Sequence, residues 1–293
     1  MQMKREDVLI EALPYLKEFH NSHMVIKIGG HAIVNKVTLE NIVKDIVLLR
    51  YVGINPIVVH GGGPEISQKM EKMGKKPEFV CGLRITDEET LEIARMVLVG
   101  NINWNIVSLI SKHGAKGIGL SGKDGDLIVA RKIAPQEILV EGVKKEVDLG
   151  WVGETEHINP EILMIATEKG YIPVVAPIGI DRDGRSLNLN ADVVAGDIAI
   201  AIKAKKLIAL TDVPGILLDP QDPSSLISQI SLSEARELLN KGIIKGGMIP
   251  KLKSCIRAVE AGVEKVHIIN GNIAHALLLE LFTDTGIGTM VYK

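Results

Sequence analysis

The sequence predicts an α/β protein: a three-layer sandwich around a central, mainly parallel open sheet, in two lobes, with an N-terminal amphipathic helix in front. Three observations carry this. Short β-rich apolar runs alternate with longer stretches of helical periodicity along most of the chain. Glycine clusters close the first two of those runs. With 293 residues, 46% of them hydrophobic and 24% charged, the chain is long enough to bury a substantial core.

Val8, Leu9, Ala12, Leu13, Leu16 and Phe19 recur at helical spacing and predict an amphipathic helix over residues 5–20, with Pro14 a point where it would kink. The β-rich runs then follow at 24–28, 56–60, 115–120, 172–176, 207–210 and 266–269. Their separation by helical patterns predicts parallel, helix-covered strands. Between 126 and 153 the alternation breaks into short polar-flanked runs and turns, which predicts a β-rich insertion or hairpin region. The turn cluster at 181–185 places a lobe boundary, giving an N-terminal helix at 1–22, a first lobe at 23–185 and a second at 186–293.

Composition excludes several classes. Lysine plus arginine (34) nearly balances aspartate plus glutamate (36), so no broad field recruits nucleic acid or an anionic membrane, and any anion site must be local. Cys81 and Cys255 stand far apart and the histidines do not cluster, so neither a disulfide framework nor a zinc site is expected. A reducing, cytoplasmic setting fits. Lys4 and Arg5 are followed by Glu6, Asp7 and Glu11 rather than an apolar core, so no secretion signal is expected. The apolar runs read as too short or too interrupted to cross a bilayer.

Four segments carry chemistry. Lys27 lies in an apolar run followed at once by Gly29 and Gly30, which puts an amine at the end of a strand, where open α/β sheets bind ligands. A strand-edge lysine beside a turn would look the same. His60 precedes Gly61, Gly62, Gly63 and Pro64: strand, glycine loop and helix start, an arrangement that aims backbone amides at one anion. Gly246 and Gly247 lead into a helix with Lys251 in its first turn, where a cation opposes the macrodipole unless a phosphate binds there too. Asn190 is a good N-cap for a helix with Asp192 in its first turn, and Asn188 lies outside that helix with its amide available.

Two apparent motifs fail on context. Gly117, Gly119 and Gly122 spell GxGxxG, and Gly122 with Lys123 nearly completes a Walker loop. Asp124 stands where a hydroxyl residue would hold magnesium, and a strand follows where both motifs need a helix.

Taken in order, KIGG, VVHGGG, CGLRITD, GLSGKDG, VGE, NLNAD, LTDVPGIL and GGMIPK resemble the motifs of the amino-acid kinase family over essentially the full chain. The resemblance implies ATP-dependent phosphorylation of the γ-carboxylate of N-acetyl-L-glutamate, with Mg2+ carried by the nucleotide phosphates and no protein metal site. It implies catalytic roles for Lys27, Lys251 and Asp192, the last orienting the two lysines. Gly62, Gly63, Arg84 and Asn188 would hold the acceptor, Arg84 pairing with a carboxylate. Gly29, Gly30, Thr211, Asp212, Val213, Pro214, Gly215, Ile216, Leu217, Ile243, Ile244 and Lys245 would form the nucleotide side.

The N-terminal helix resembles the one that joins dimers into a hexamer in arginine-inhibited members, where Tyr15, His267, Glu280 and Gly286 match effector positions. Tyr15 as a plain interface residue and Glu280 as a solvated helix residue are the alternatives. The motifs do not specify whether a PII-type signalling protein binds. His31, Asn101, Trp104, Asn270 and Asn272 depart from the family's usual residues. A kinase for acetylaminoadipate or for a carrier-protein-linked amino acid stays open, because one methylene changes discrimination by only about 1–3 kcal/mol. A catalytically silent amino-acid sensor is the alternative from another class.

Overall fold

A computed structural model describes residues 5–80, 82–140, 143–219, 221–244 and 246–293. Helix α1 (Arg5–Phe19) continues through Pro14 and leads into strand β1 (His23–Ile28). Helices α2 (Gly30–Val34) and α3 (Lys36–Tyr51) precede β2 (Asn55–His60), and α4 (Gly63–Lys72) leaves it. The antiparallel pair β3 (Phe79–Val80) and β4 (Leu83–Arg84) is followed by α5 (Glu88–Arg95), a π-helical stretch (Met96–Asn103) and α6 (Trp104–Lys112). Next come β5 (Lys116–Ser121), β6 (Ile128–Lys132), β7 (Gln136–Val140), β8 (Val143–Val147) and β9 (Gly153–Ile158). Helix α7 (Glu161–Glu168) precedes β10 (Tyr171–Ala176), β11 (Ile178–Ile180) and β12 (Ser186–Asn188). The rest is α8 (Ala191–Ala201), β13 (Lys206–Thr211), β14 (Gln229–Ser231), α9 (Leu232–Asn240), α10 (Met248–Glu260), β15 (Lys265–Asn270), α11 (Ala276–Phe282) and β16 (Thr289–Tyr292).

The main sheet has eight strands in the order β14-β16-β15-β13-β1-β2-β10-β5. The six runs read from sequence are its six contiguous strands from β15 to β5, each matched to within a residue at either end. All of their mutual pairings are parallel. Strands β14 and β16 are additional: β14 is the edge, and β16 lies between it and β15, antiparallel to β15. The 126–153 segment is β-rich as expected: β6 and β9 join β11 and β12 in a four-stranded sheet, and β7 pairs with β8.

Both faces of the main sheet are covered because its strands are apolar on both sides. On β1, Met24, Ile26 and Ile28 pack with Ile42, Ile46 and Leu49 of α3 and with Leu98 and Ile106 of the 88–112 helical run. Val25, facing the other way, joins Val194 and Ile198 of α8 and Leu252 and Val259 of α10. Two cores with a sheet between them make the three layers.

The membrane expectation needs one correction. Residues Glu88–Lys112 form a continuous helical run that is apolar and long enough to span a bilayer by length and composition. Length therefore does not exclude a span, but packing accounts for one face of the run: Ile93, Leu98, Ile102, Ile106 and Ile110 lie in the core, while Met96, Val99 and Trp104 are exposed. Helix α1 differs. Phe19 is buried, while Ile10 and Leu13 are 68% and 43% exposed.

Candidate active site

The strand ends build the site. Ile28 and His60 are register partners, so the loops that follow β1 and β2 emerge side by side. The Gly29 amide donates to Leu210 O at 3.0 Å and the Gly61 amide to Ile28 O at 2.9 Å. Those two amides extend the sheet rather than face a ligand. Gly62 and Gly63 open α4, whose first-turn amides have no intrahelical acceptor, and among the described residues none is found for either. A Cβ on Gly62 would stand 2.5 Å from Ile102 Cδ1 and 2.7 Å from Leu98 Cδ2, so any larger residue would have to displace these two side chains of the π-helical stretch.

His60 supports the loop. Its Nδ1 lies 2.9 Å from Gly61 O and its Nε2 3.3 Å from Asn103 Nδ2, and full burial pushes its pKa down to about 4. The ring is neutral, donating through Nδ1 and accepting through Nε2.

The central feature is Asp192. Asn190 caps α8, its side chain accepting from the amides of Asp192 (2.8 Å) and Val193 (3.3 Å), which fixes Asp192 in the first turn. Lys27 Nζ lies 2.8 Å from one carboxylate oxygen and Lys251 Nζ 3.9 Å from the other. Ser254, one turn along α10 from Lys251, donates to Asp192 O at 3.2 Å and ties the two helix starts together. Burial pushes the Asp192 carboxyl up, but the two ammonium groups outweigh it and hold the carboxyl below its usual range. Two lysines 224 positions apart in sequence thus share one carboxylate.

Two cavities meet here. One of about 480 Å³ is lined by Lys27, Gly30, Gly62, Gly63, Arg84, Asn188 and Asp192. It holds the whole predicted acceptor set. Sequence reading missed part of its wall, including Phe79, Leu98, Val152, Pro177 and Leu189. Apolar identity alone gave no reason to single these out, although Val152 stands in the VGE motif.

Arg84, 7% exposed, donates through Nη2 to Gly63 O and Ser67 Oγ, both at 2.8 Å, and its guanidinium lies 4.6 Å from the Phe79 ring centre. Burial pushes its pKa down. Among the described residues no carboxylate pairs with it. Asn188 is less free than expected, since its Nδ2 lies 3.3 Å from Thr86 Oγ1; its amide oxygen remains.

The second cavity, about 350 Å³, is lined by Asp212, Val213, Gly215, Leu217, Ile243, Ile244, Gly247, Met248 and Lys251. It gathers much of the predicted nucleotide set and adds Gly247 and Met248 from the GGMIPK motif. Gly29, Gly30, Thr211, Pro214 and Ile216 do not line it: the Gly29 amide continues the sheet and Gly30 lines the first cavity. Thr211 Oγ1 closes a turn with Val213 O at 3.0 Å, and Ile216 is fully buried with its amide on Thr289 Oγ1. Lys245 lies outside the described residues. A larger groove of about 810 Å³, lined by residues such as Ile33, Leu39, Glu65 and Asn105, contains no predicted site residue.

The candidate effector residues form a separate cluster. His267 Nδ1 lies 2.6 Å from Glu280 Oε1, and Glu280 Oε2 accepts from the amides of Ile287 (2.7 Å) and Gly288 (3.1 Å). Lys206 Nζ is 3.0 Å from His267 Nε2 and 4.9 Å from the Phe19 ring centre, and burial lowers its pKa to about 8. Glu280 is therefore not a solvated helix residue. A Cβ on Gly286 would reach within 2.9 Å of its carboxylate, and Tyr15 Oη donates to Asp284 near the same end of α11.

A covered parallel sheet with two lysines on one carboxylate, Lys27 from a strand and Lys251 from a helix start, between a glycine-walled cavity and a second cavity, has the layout of a phosphotransferase. The amino acid kinase family matches residues 23–270, and the chain belongs to that family. Within it the likeness is to acetylglutamate kinase. The chain is 66% identical over 289 residues to acetylglutamate kinase of Methanothrix thermoacetophila, covering 99% of each chain. It is 64% identical over 293 residues to that of Methanococcoides burtonii, covering 100% of this chain and 96% of the other.

Among solved structures, N-acetylglutamate synthase from Neisseria gonorrhoeae complexed with coenzyme A and N-acetyl-glutamate superposes with a TM-score of 0.85 at 27% identity, over 99% of this chain and 64% of the synthase. The same synthase complexed with coenzyme A and L-arginine gives 0.81 at 26% identity, over 99% and 66%. This chain thus spans just under two thirds of the synthase.

Proposed function

We propose that the protein transfers the γ-phosphoryl group of ATP to the γ-carboxylate of N-acetyl-L-glutamate, yielding N-acetyl-L-glutamyl 5-phosphate in arginine biosynthesis. The carrying observation is the single carboxylate of Asp192 within reach of both Lys27 and Lys251. Residues 23–185 then supply most of the acceptor side and residues 186–293 the nucleotide side.

The acceptor carboxylate is already ionised at neutral pH, so no general base is required. One of its oxygens attacks the γ-phosphorus in line. That bond forms as the bond to the β,γ-bridging oxygen breaks, and ADP leaves with the electron pair. Lys27, Lys251 and the Gly62 and Gly63 amides lie where negative charge spreads, and Asp192 keeps the two ammonium groups from drifting apart. Arg84 takes the acceptor's other carboxylate. Among the described residues no three His, Cys, Asp or Glu side chains cluster to hold a metal, and Mg2+ in this reading arrives on the nucleotide, neutralising phosphate oxygens.

Incubation with ATP and N-acetyl-L-glutamate, followed by hydroxylamine, should yield a hydroxamate matching the ADP released. A kcat/KM at least tenfold higher for N-acetylaminoadipate would move the assignment to the longer acid. Arginine binding without any ATP turnover would make the chain a sensor.

Two regulatory features belong to the same reading. Arginine is the proposed effector at Tyr15, His267, Glu280 and Gly286, supported by a buried carboxylate set against the end of α1; arginine slowing hydroxamate formation tests it. The half-exposed face of α1 supports a hexamer built as a trimer of dimers in a cytoplasmic enzyme. Deleting residues 1–20 should yield dimers by sedimentation, and a truncated chain that still forms the full-length assembly would remove the proposal.

A further inference from the structure

His31 is a residue that neither the lysine pair nor the glycine loops account for. It follows Gly29 and Gly30 directly, its side chain is 71% exposed, and its Nδ1 lies 3.6 Å from Asp212 Oδ2. His31 lines the acceptor cavity with Lys27 and Asp192, whereas Asp212 lines the nucleotide cavity with Lys251. Two polar bridges therefore join the cavities: Lys27 to Lys251 through Asp192, and His31 to Asp212. His31 thus stands, like Asp192, where residues of one cavity reach residues of the other.

The second bridge is loose. An exposed pair at this distance holds its partners weakly, so the imidazole can leave Asp212 when a polyanion arrives. We propose that His31, as imidazolium, donates to the terminal phosphate oxygens of the bound nucleoside triphosphate at this junction. The proposal rests on the kinase reading above and adds to it a donor whose charge depends on pH.

Imidazolium is the form present at lower pH and is lost as pH rises through the imidazole range. The charged groups placed with it are its partner Asp212 after β13, and Lys27 on β1, Arg84 on β4 and Asp192 on α8, which line the same cavity. Glu65 on α4 completes the set: burial pushes its carboxyl up and the charge on His31 pulls it partly back.

The test is the ratio of wild-type to variant kcat/KM for ATP, measured for His31→Asn and His31→Gln from about pH 6 to pH 8.5 at saturating acceptor. The pH behaviour of ATP and its magnesium complex is common to every variant and cancels in the ratio. A charge-assisted hydrogen bond at an open site predicts a ratio of roughly tenfold near pH 6, falling to within about twofold by pH 8.5. A merely structural His31 would give a ratio independent of pH, and that result, or a ratio of one throughout, overturns the proposal. Calorimetric ATP affinity provides the same ratio without chemistry. If wild type makes no hydroxamate yet its ATP affinity ratio falls with pH, the contact stands and the acceptor assignment fails; a flat affinity ratio removes the contact.

Discussion

Lys251→Ala is expected to lower kcat by roughly 10² to 10³, about 2.7–4 kcal/mol of transition-state stabilisation, with little change in the thermal midpoint. The two halves of that expectation have separate causes. Lys251 sits in the first turn of α10, where the helix dipole disfavours a cation by about 0.3–1 kcal/mol, and its 3.9 Å contact with Asp192 returns a similar amount. Removing it is therefore nearly neutral for the empty protein. In the proposed transition state the same ammonium would face spreading phosphoryl charge, with no other group on α10's first turn to replace it.

Asp192→Asn should behave differently, because Lys27 is only 6% exposed and would lose its partner at 2.8 Å. Breaking a buried pair on one side costs about 3–5 kcal/mol. That variant should lose both activity and stability, and steady-state kinetics beside thermal melts separates the two. A Lys251→Ala enzyme with wild-type kcat and only a raised KM would show that the lysine holds ground-state ATP and does not stabilise transfer.

The central sheet was legible because a strand buried on both faces is apolar throughout, so 24–28, 56–60 and 207–210 stand out against their surroundings. Strands β14 and β16 are not legible because three and four residues are too few to show a pattern. Lys27, Asp192 and Lys251 could each be proposed from local context, as an amine at a strand end, an acid in a helix's first turn, and a cation in a helix's first turn. Their meeting on one carboxylate follows from the family resemblance and not from local context, since it depends on α8 and α10 packing with their starts together.

The glycine loops show the same limit. Sequence counted their amides but could not tell that those of Gly29 and Gly61 continue the sheet while Gly62 and Gly63 remain available. Glu280 was open to a solvated reading because one glutamate in an apolar helix carries no sign of the His267 ring beneath it. His31 was noticed as a departure; its reach to Asp212 appears only when the two loops are side by side.

Arg84→Met is expected to reduce kcat/KM for the acceptor by roughly 30- to 1,000-fold, the range for losing about 2–4 kcal/mol at a buried charge pair. Arg84 is held by Gly63 O, Ser67 Oγ and the Phe79 ring, all neutral, so the fold supplies geometry without a counter-charge. A buried cation of this kind costs free energy in the empty protein, and an incoming carboxylate relieves it. Two results should follow together. The empty variant should melt no lower than wild type by more than the loss of two hydrogen bonds, about 1–3 kcal/mol. N-acetyl-L-glutamate should raise the thermal midpoint of wild type through preferential binding to the folded state, and that rise should vanish in the variant. Arg84→Lys should recover little, because a single ammonium cannot present the paired donors that match a carboxylate while keeping the contacts to Gly63 and Ser67. An Arg84→Met protein still stabilised by the acceptor to the wild-type degree would mean that the carboxylate binds elsewhere, and the 480 Å³ cavity would lose its assignment as the acceptor site.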